Sequence, residues 1–68
     1  MEKAILNGKK LEYEGRSYDV GNVTSIAMVR QGIFMTFRDG SSIVTMGRPE
    51  EFYALADLCP WAERVPTL

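Results

Sequence analysis

Cys59 is the one thiol in this sequence, and histidine is absent from all 68 residues. Neither a Ser-His nor a Cys-His pairing can therefore be assembled, and the side chain that most often serves as general base near neutral pH is missing. A lone cysteine makes no internal disulfide and no cysteine-based metal site within one chain. Its position also argues against reactivity. Cys59 follows an apolar helical stripe and precedes Pro60, at a helix C-terminus whose dipole disfavours a thiolate. It reads as a small buried hydrophobe.

The carboxylates meet the same test. Glu50 and Glu51 are adjacent, but neighbouring helical residues point in different directions, so they read as acids at the positive end of a helix dipole. Turn chemistry accounts for Asp39 beside Gly40. Gly47-Arg48-Pro49 could offer an anion a guanidinium and free amides, yet it lacks the Lys-Ser/Thr ending and the second glycine of a phosphate loop. It reads as a helix entry. No catalytic, cofactor-binding or metal-binding residue is assigned, and the expectation is a protein that is not an enzyme.

Composition narrows the classes further. Eight Lys+Arg against nine Asp+Glu leave a formal charge of −1, ordinary for a soluble protein and poor for collecting many phosphates. At 46% apolar the chain is too hydrophobic for a disordered one. No apolar run approaches the ~20 residues that cross a bilayer, and Met1-Glu2-Lys3 does not lead into a signal-peptide core. The expected location is the cytoplasm, with no membrane contact. The length fits a single domain over residues 1–68, with 60–68 as an extended tail. A chain this short buries only about 60% of its surface on folding, so a partner subunit would help it.

The elements that must carry any site are marked by dipeptides between apolar stretches. Asn7-Gly8, Gln31-Gly32 and Asp39-Gly40 read as two-residue reversals, and Glu14-Gly15 as a fourth. With Gln31-Gly32 and Asp39-Gly40 as the whole loops, one sheet face carries Ile26, Met28, Ile33, Met35, Phe37, Val44 and Met46. The other carries Val23, Ser25, Ala27, Val29, Phe34, Thr36, Arg38, Ser41, Ile43 and Thr45. At the N-terminus the same rule puts Ala4 opposite Leu11, with Leu6, Tyr13, Tyr18 and Val20 on their side. After Met46 the period changes. Phe52, Leu55, Ala56 and Cys59 form one helical face that Pro49 opens and Pro60 closes. The fold class is mainly β (α+β): an antiparallel meander or small, partly open SH3-like barrel of five to six short strands with one C-terminal helix.

The face bearing Val29, Phe34 and Ile43 is too apolar for a solvated one, which implies cover from the N-terminal hairpin or from a second copy. The functional expectation is a small protein-binding or regulatory module, an adaptor that also self-associates. It acts through Val29, Phe34 and Ile43, with Arg30 and Arg38 on the rim selecting by charge. The competing account has the tail residues Trp61, Val65 and Leu68 closing that face within the monomer. An alternative function is nucleic-acid binding by Lys3, Lys9, Lys10, Arg16, Arg30 and Arg38 with Tyr13, Tyr18 or Phe34 as stacking surfaces. Glu12, Glu14 and Asp19 interrupt that basic set, so a protein partner is preferred and nucleic acid is not expected.

Overall fold

The computed structural model describes residues 3–65. Its elements run β1 (Ile5–Asn7), β2 (Lys10–Tyr13), β3 (Arg16–Asp19), a 3-10 turn (Val20–Asn22), β4 (Val23–Val29), β5 (Gly32–Phe37), β6 (Ser42–Thr45), α1 (Pro49–Leu58) and β7 (Glu63–Val65). Strands β1-β2-β3 make one antiparallel sheet, and a second has the order β6-β5-β4-β7, with β7 parallel to β4. Among the described residues the result is a small two-sheet β domain with one C-terminal helix and no closed barrel.

Positive φ marks the first two hairpin loops. Glu14 (φ 50°) and Gly15 (φ 76°) form the whole β2–β3 loop, so Tyr13 faces Arg16 and Leu11 faces Tyr18, as the sequence implies. At the first hairpin only Gly8 (φ 64°) is positive, and it opens the loop. Asn7 therefore pairs with Lys10, and Leu6, not Ala4, lies opposite Leu11. The β4–β5 reversal is Arg30-Gln31 and not Gln31-Gly32, because Gly32 already pairs with Val29 inside the ladder. A Cβ at Gly32 would collide with the Thr45 carbonyl oxygen of β6, and its φ is 146°. This glycine is needed for close strand approach and is no turn residue.

The β5–β6 hairpin departs most from expectation. Phe37 N–H donates to Ser41 O at 2.9 Å and Gly40 N–H to Phe37 O at 3.0 Å, so Arg38, Asp39 and Gly40 (φ 90°) make a three-residue loop. Asp39 Oδ1 fixes it by accepting from Ser41 N–H at 2.9 Å and Ser41 Oγ at 2.6 Å. One extra loop residue turns β6 over. Ile43 and Thr45 point inward and are buried, whereas Val44 is half-buried on the other face and Met46 is 51% exposed. A register shift between Val23 and Ser25 likewise brings Val23 inward, at 1% exposure.

The core lies between the larger sheet and everything else. Ile26, Ile33, Met35, Phe37 and Ile43 meet Leu11 and Val20 from the N-terminal segment and Phe52, Ala56, Cys59 and Ala62 from the helix and beyond. Tyr18 stacks on Phe37 with ring centroids 4.9 Å apart. The helix begins as its sequence indicates. Pro49 stands in the first turn, and Glu51 Oε1 accepts the Arg48 N–H at 3.0 Å. No helix among the described residues is long and apolar enough to cross a membrane.

Candidate interaction surface

Alternation along the strands sends Ser25, Ala27 and Val29 of β4, Phe34 and Thr36 of β5, and Ser42 and Val44 of β6 to the face away from the core. Strand pairing arranges them in rows. Val44 is opposite Phe34, Phe34 opposite Ala27, and Ala27 beside Val65 of the parallel strand. A row of four apolar side chains thus crosses all four strands, a width of about 14 Å at the usual strand spacing. The adjacent row is polar throughout: Ser42, Thr36, Ser25 and Glu63. Thr36 Oγ1 is within hydrogen-bond distance of Ser25 Oγ and lies 3.0 Å from Thr24 Oγ1. The outer face is therefore divided lengthwise into an apolar half and a hydroxyl half.

Phe34 sits within the apolar half, flanked on both sides by Val44 and Ala27, and is half-buried. Ala27 is 6% exposed on this same face, shielded from both flanks. Among the described residues, α1 and the sheet β1–β3 both contribute to the core on the opposite side. The N-terminal hairpin, offered above as a cover, does not occupy the outer face.

The expected site residues separate on this geometry. Val29 and Phe34 are on the outer face as anticipated. Ile43 is not: the three-residue loop puts it in the core at 5% exposure, and Val44 takes its place. Arg30 and Arg38 are both exposed, but they stand at opposite ends of β5, roughly 20 Å apart along an extended strand. They bracket the face and form no single rim cluster. Val65 flanks the apolar row as part of a strand and does not fold across it. Trp61 is 53% exposed, and its indole N–H donates to Val23 O at 2.9 Å. Leu68 lies outside the described residues. Ala27 is on this face as the sequence reading placed it, whereas Val44 and the strand pairing of Val65 were missed; the only signal for Val44 was the choice between a two- and a three-residue loop at Asp39-Gly40.

The residues that could do chemistry are held in structural roles. Cys59 Sγ donates to Leu55 O at 3.1 Å, and burial pushes its thiol pKa up. Glu51 pairs with Lys3 at 2.7 Å, and that contact together with the Arg48 N–H holds its carboxyl below the usual range. Asp39 is lowered by the Ser41 hydroxyl and amide. Among the described residues there is no cluster of three Asp, Glu, Cys or His side chains placed to hold a metal ion. Of the aromatics considered for base stacking, Tyr18 lies against Phe37 and the Tyr13 hydroxyl donates to Val44 O at 2.6 Å.

These features define a class: a small, partly open two-sheet β domain with a helix on one side and, on the other, a half-apolar sheet face that no other element of the described residues covers. No family model matches the chain, and no curated protein or solved structure matches it.

Proposed function

We propose that this domain is a protein-interaction module that docks a partner on the outer face of its four-stranded sheet and acts by binding, without a chemical step. The observation that carries this reading is the row Val44, Phe34, Ala27 and Val65, apolar in every strand and outside the core. Solvated antiparallel faces are normally polar, and a contiguous apolar strip is a common mark of an interaction surface. Phe34 is the anchor because it is the only aromatic side chain in the strip and lies within it, flanked on both sides, where binding energy concentrates. The parallel hydroxyl row would hydrogen-bond a partner's polar flank and fix its orientation.

The partner class that fits is a protein segment with one apolar stripe, such as an amphipathic helix or strand laid across the strands. Arg30 and Arg38, at the two ends, would favour acidic residues flanking that stripe. The test is affinity capture with the wild type beside Phe34→Asp, each first checked for fold by circular dichroism. Partners retained by the wild type and lost by a folded Phe34→Asp variant support the assignment. Equal capture by both removes this face as the docking site.

A further inference from the structure

The two sheets leave an opening where a closed barrel would pair β1 with β6. Both are edge strands, and Ala4, the residue before β1, donates its N–H to Thr45 Oγ1 of β6 at 2.6 Å. A groove of about 480 Å³ fills this opening, between β1 and the Glu51–Leu55 stretch of α1. Leu11 and Ile33, each 1% exposed, form its floor, and Leu6, Met46, Ala54 and Leu55 line its walls. Lys3 and Glu51 close its rim as an ion pair.

Two properties of this patch point to its occupant. Three of the large apolar side chains left exposed by the fold, Ile5, Leu6 and Met46, border the groove, so one surface holds both projecting hydrophobes and a hollow to receive them. It also holds one cation and one anion side by side, both partly exposed. An isologous interface must be complementary to itself, and this patch is complementary in shape and in charge. Lys3 and Glu51 already satisfy each other within the chain at 2.7 Å, so a partner bearing a single sign of charge would have to compete with that pair. A second copy turned about a two-fold axis matches both, Lys3 to Glu51 and Glu51 to Lys3. The body measures 28 × 26 × 21 Å and exposes 4666 Å², so the roughly 800 Å² that each partner gives to a standard interface would take the whole face around the groove.

We propose that the β1–α1 groove is a homodimer interface, in which Ile5 and Met46 of each copy pack into the hollow of the other and Lys3 and Glu51 pair across the two-fold axis. This surface is separate from the outer sheet face and does not depend on the docking role assigned there.

Sedimentation over a concentration series tests the proposal, with Lys3→Glu and Glu51→Lys as the decisive variants. The wild type is expected to pass from monomer to dimer as concentration rises. Each reversed variant places like charges across the interface and should dimerise about tenfold or more weakly. Mixing the two variants restores both trans pairs in a heterodimer, so the mixture should associate more tightly than either alone. Should Glu51→Lys fail to fold, Ile5→Asp and Met46→Asp, both at exposed side chains, must give monomers. Phe34→Asp should dimerise as the wild type does, which separates this interface from the docking face. A wild type that stays monomeric to about 1 mM overturns the proposal. So does dimerisation unaffected by the charge reversals or by the two aspartate substitutions.

Discussion

Ile43 lies opposite Met35 across the β5–β6 ladder, and both side chains are buried, at 5% and 1% exposure. The pairing fixes which side of β6 meets the core, and so places Val44 beside Phe34 on the outer face. Truncating a buried isoleucine removes its transfer energy and leaves a cavity, a loss of about 2–5 kcal/mol. A half-buried cross-strand neighbour contributes about 0.2–1 kcal/mol. Ile43→Ala is therefore expected to lower the urea midpoint steeply, and Val44→Ala only slightly, with the slope of the transition unchanged in both. The reverse order would mean that β6 sits in the two-residue-loop register.

That register marks the limit of what the residues alone reveal. Moving a loop along the chain by one position without changing its length shifts partners by two residues and keeps every side chain on its face. For this reason Ile26, Met28, Ile33, Met35 and Phe37 are legible as inner residues although the reversal is Arg30-Gln31 and not Gln31-Gly32. Changing loop length by one residue inverts a strand. Asp39-Gly40 suits both the two-residue loop and the three-residue loop that ends on glycine, so Ile43 and Val44 exchange faces with no local sequence signal to decide between them. The helix is fully legible because Pro49, the apolar spacing and Pro60 all act locally. Strand β7 is not legible: three residues show no period, and their pairing with β4 is set by where the helix delivers the chain. The apolar row inherits both gaps, since two of its four members, Val44 and Val65, belong to these elements.

Gly32 makes a sharper demand than the turn glycines. An alanine there must adopt φ near 146° and drive its Cβ into the Thr45 carbonyl, whereas the same change at Gly40 meets open space and only φ strain. Gly32→Ala is expected to destabilise the fold by about 2 kcal/mol or more, and Gly40→Ala by about 1 kcal/mol. Thermal melts of the two variants provide the comparison. Equal losses would show that β6 can move away from Gly32 freely.

Acid should weaken the fold through Glu51, Asp39 and Asp19. Glu51 is lowered first by Lys3 and then by the Arg48 amide, Asp39 by the Ser41 hydroxyl and amide, and Asp19 by the Gly21 amide with help from Lys10. A carboxyl whose folded pKa is depressed binds fewer protons folded than unfolded in the interval between its two values. Its stabilisation is complete above the ordinary carboxylate range, about pH 4, and is lost as pH falls through the lowered folded value. Stability is expected to hold at neutral pH and fall below about pH 4. Lys3→Ala should raise the Glu51 pKa toward its ordinary value in an NMR titration and make the acid slope shallower. An unchanged Glu51 titration in that variant would mean that the ion pair is not formed in solution.

Cys59 supplies a probe from the alkaline side. Its side chain is packed at 2% exposure with Sγ donating to Leu55 O, and burial raises its pKa while the distant charge of Arg64 opposes the shift only in part. The neutral thiol is the form the fold prefers, so the sign is opposite to that of the carboxylates. Its contribution is present below the thiol's ordinary range of about 8.5 and declines as pH rises through the raised folded value. Reaction with a disulfide reagent needs the thiolate and access to it, and the native chain offers neither. Labelling near neutral pH is expected to proceed only as fast as the protein opens, and to accelerate with urea in step with loss of tryptophan signal. The alkaline fall in the unfolding midpoint should be smaller in Cys59→Ala. Rapid labelling of the folded protein in buffer would place Cys59 at the surface, and with it the end of α1 that Phe52 and Ala56 hold against the sheet.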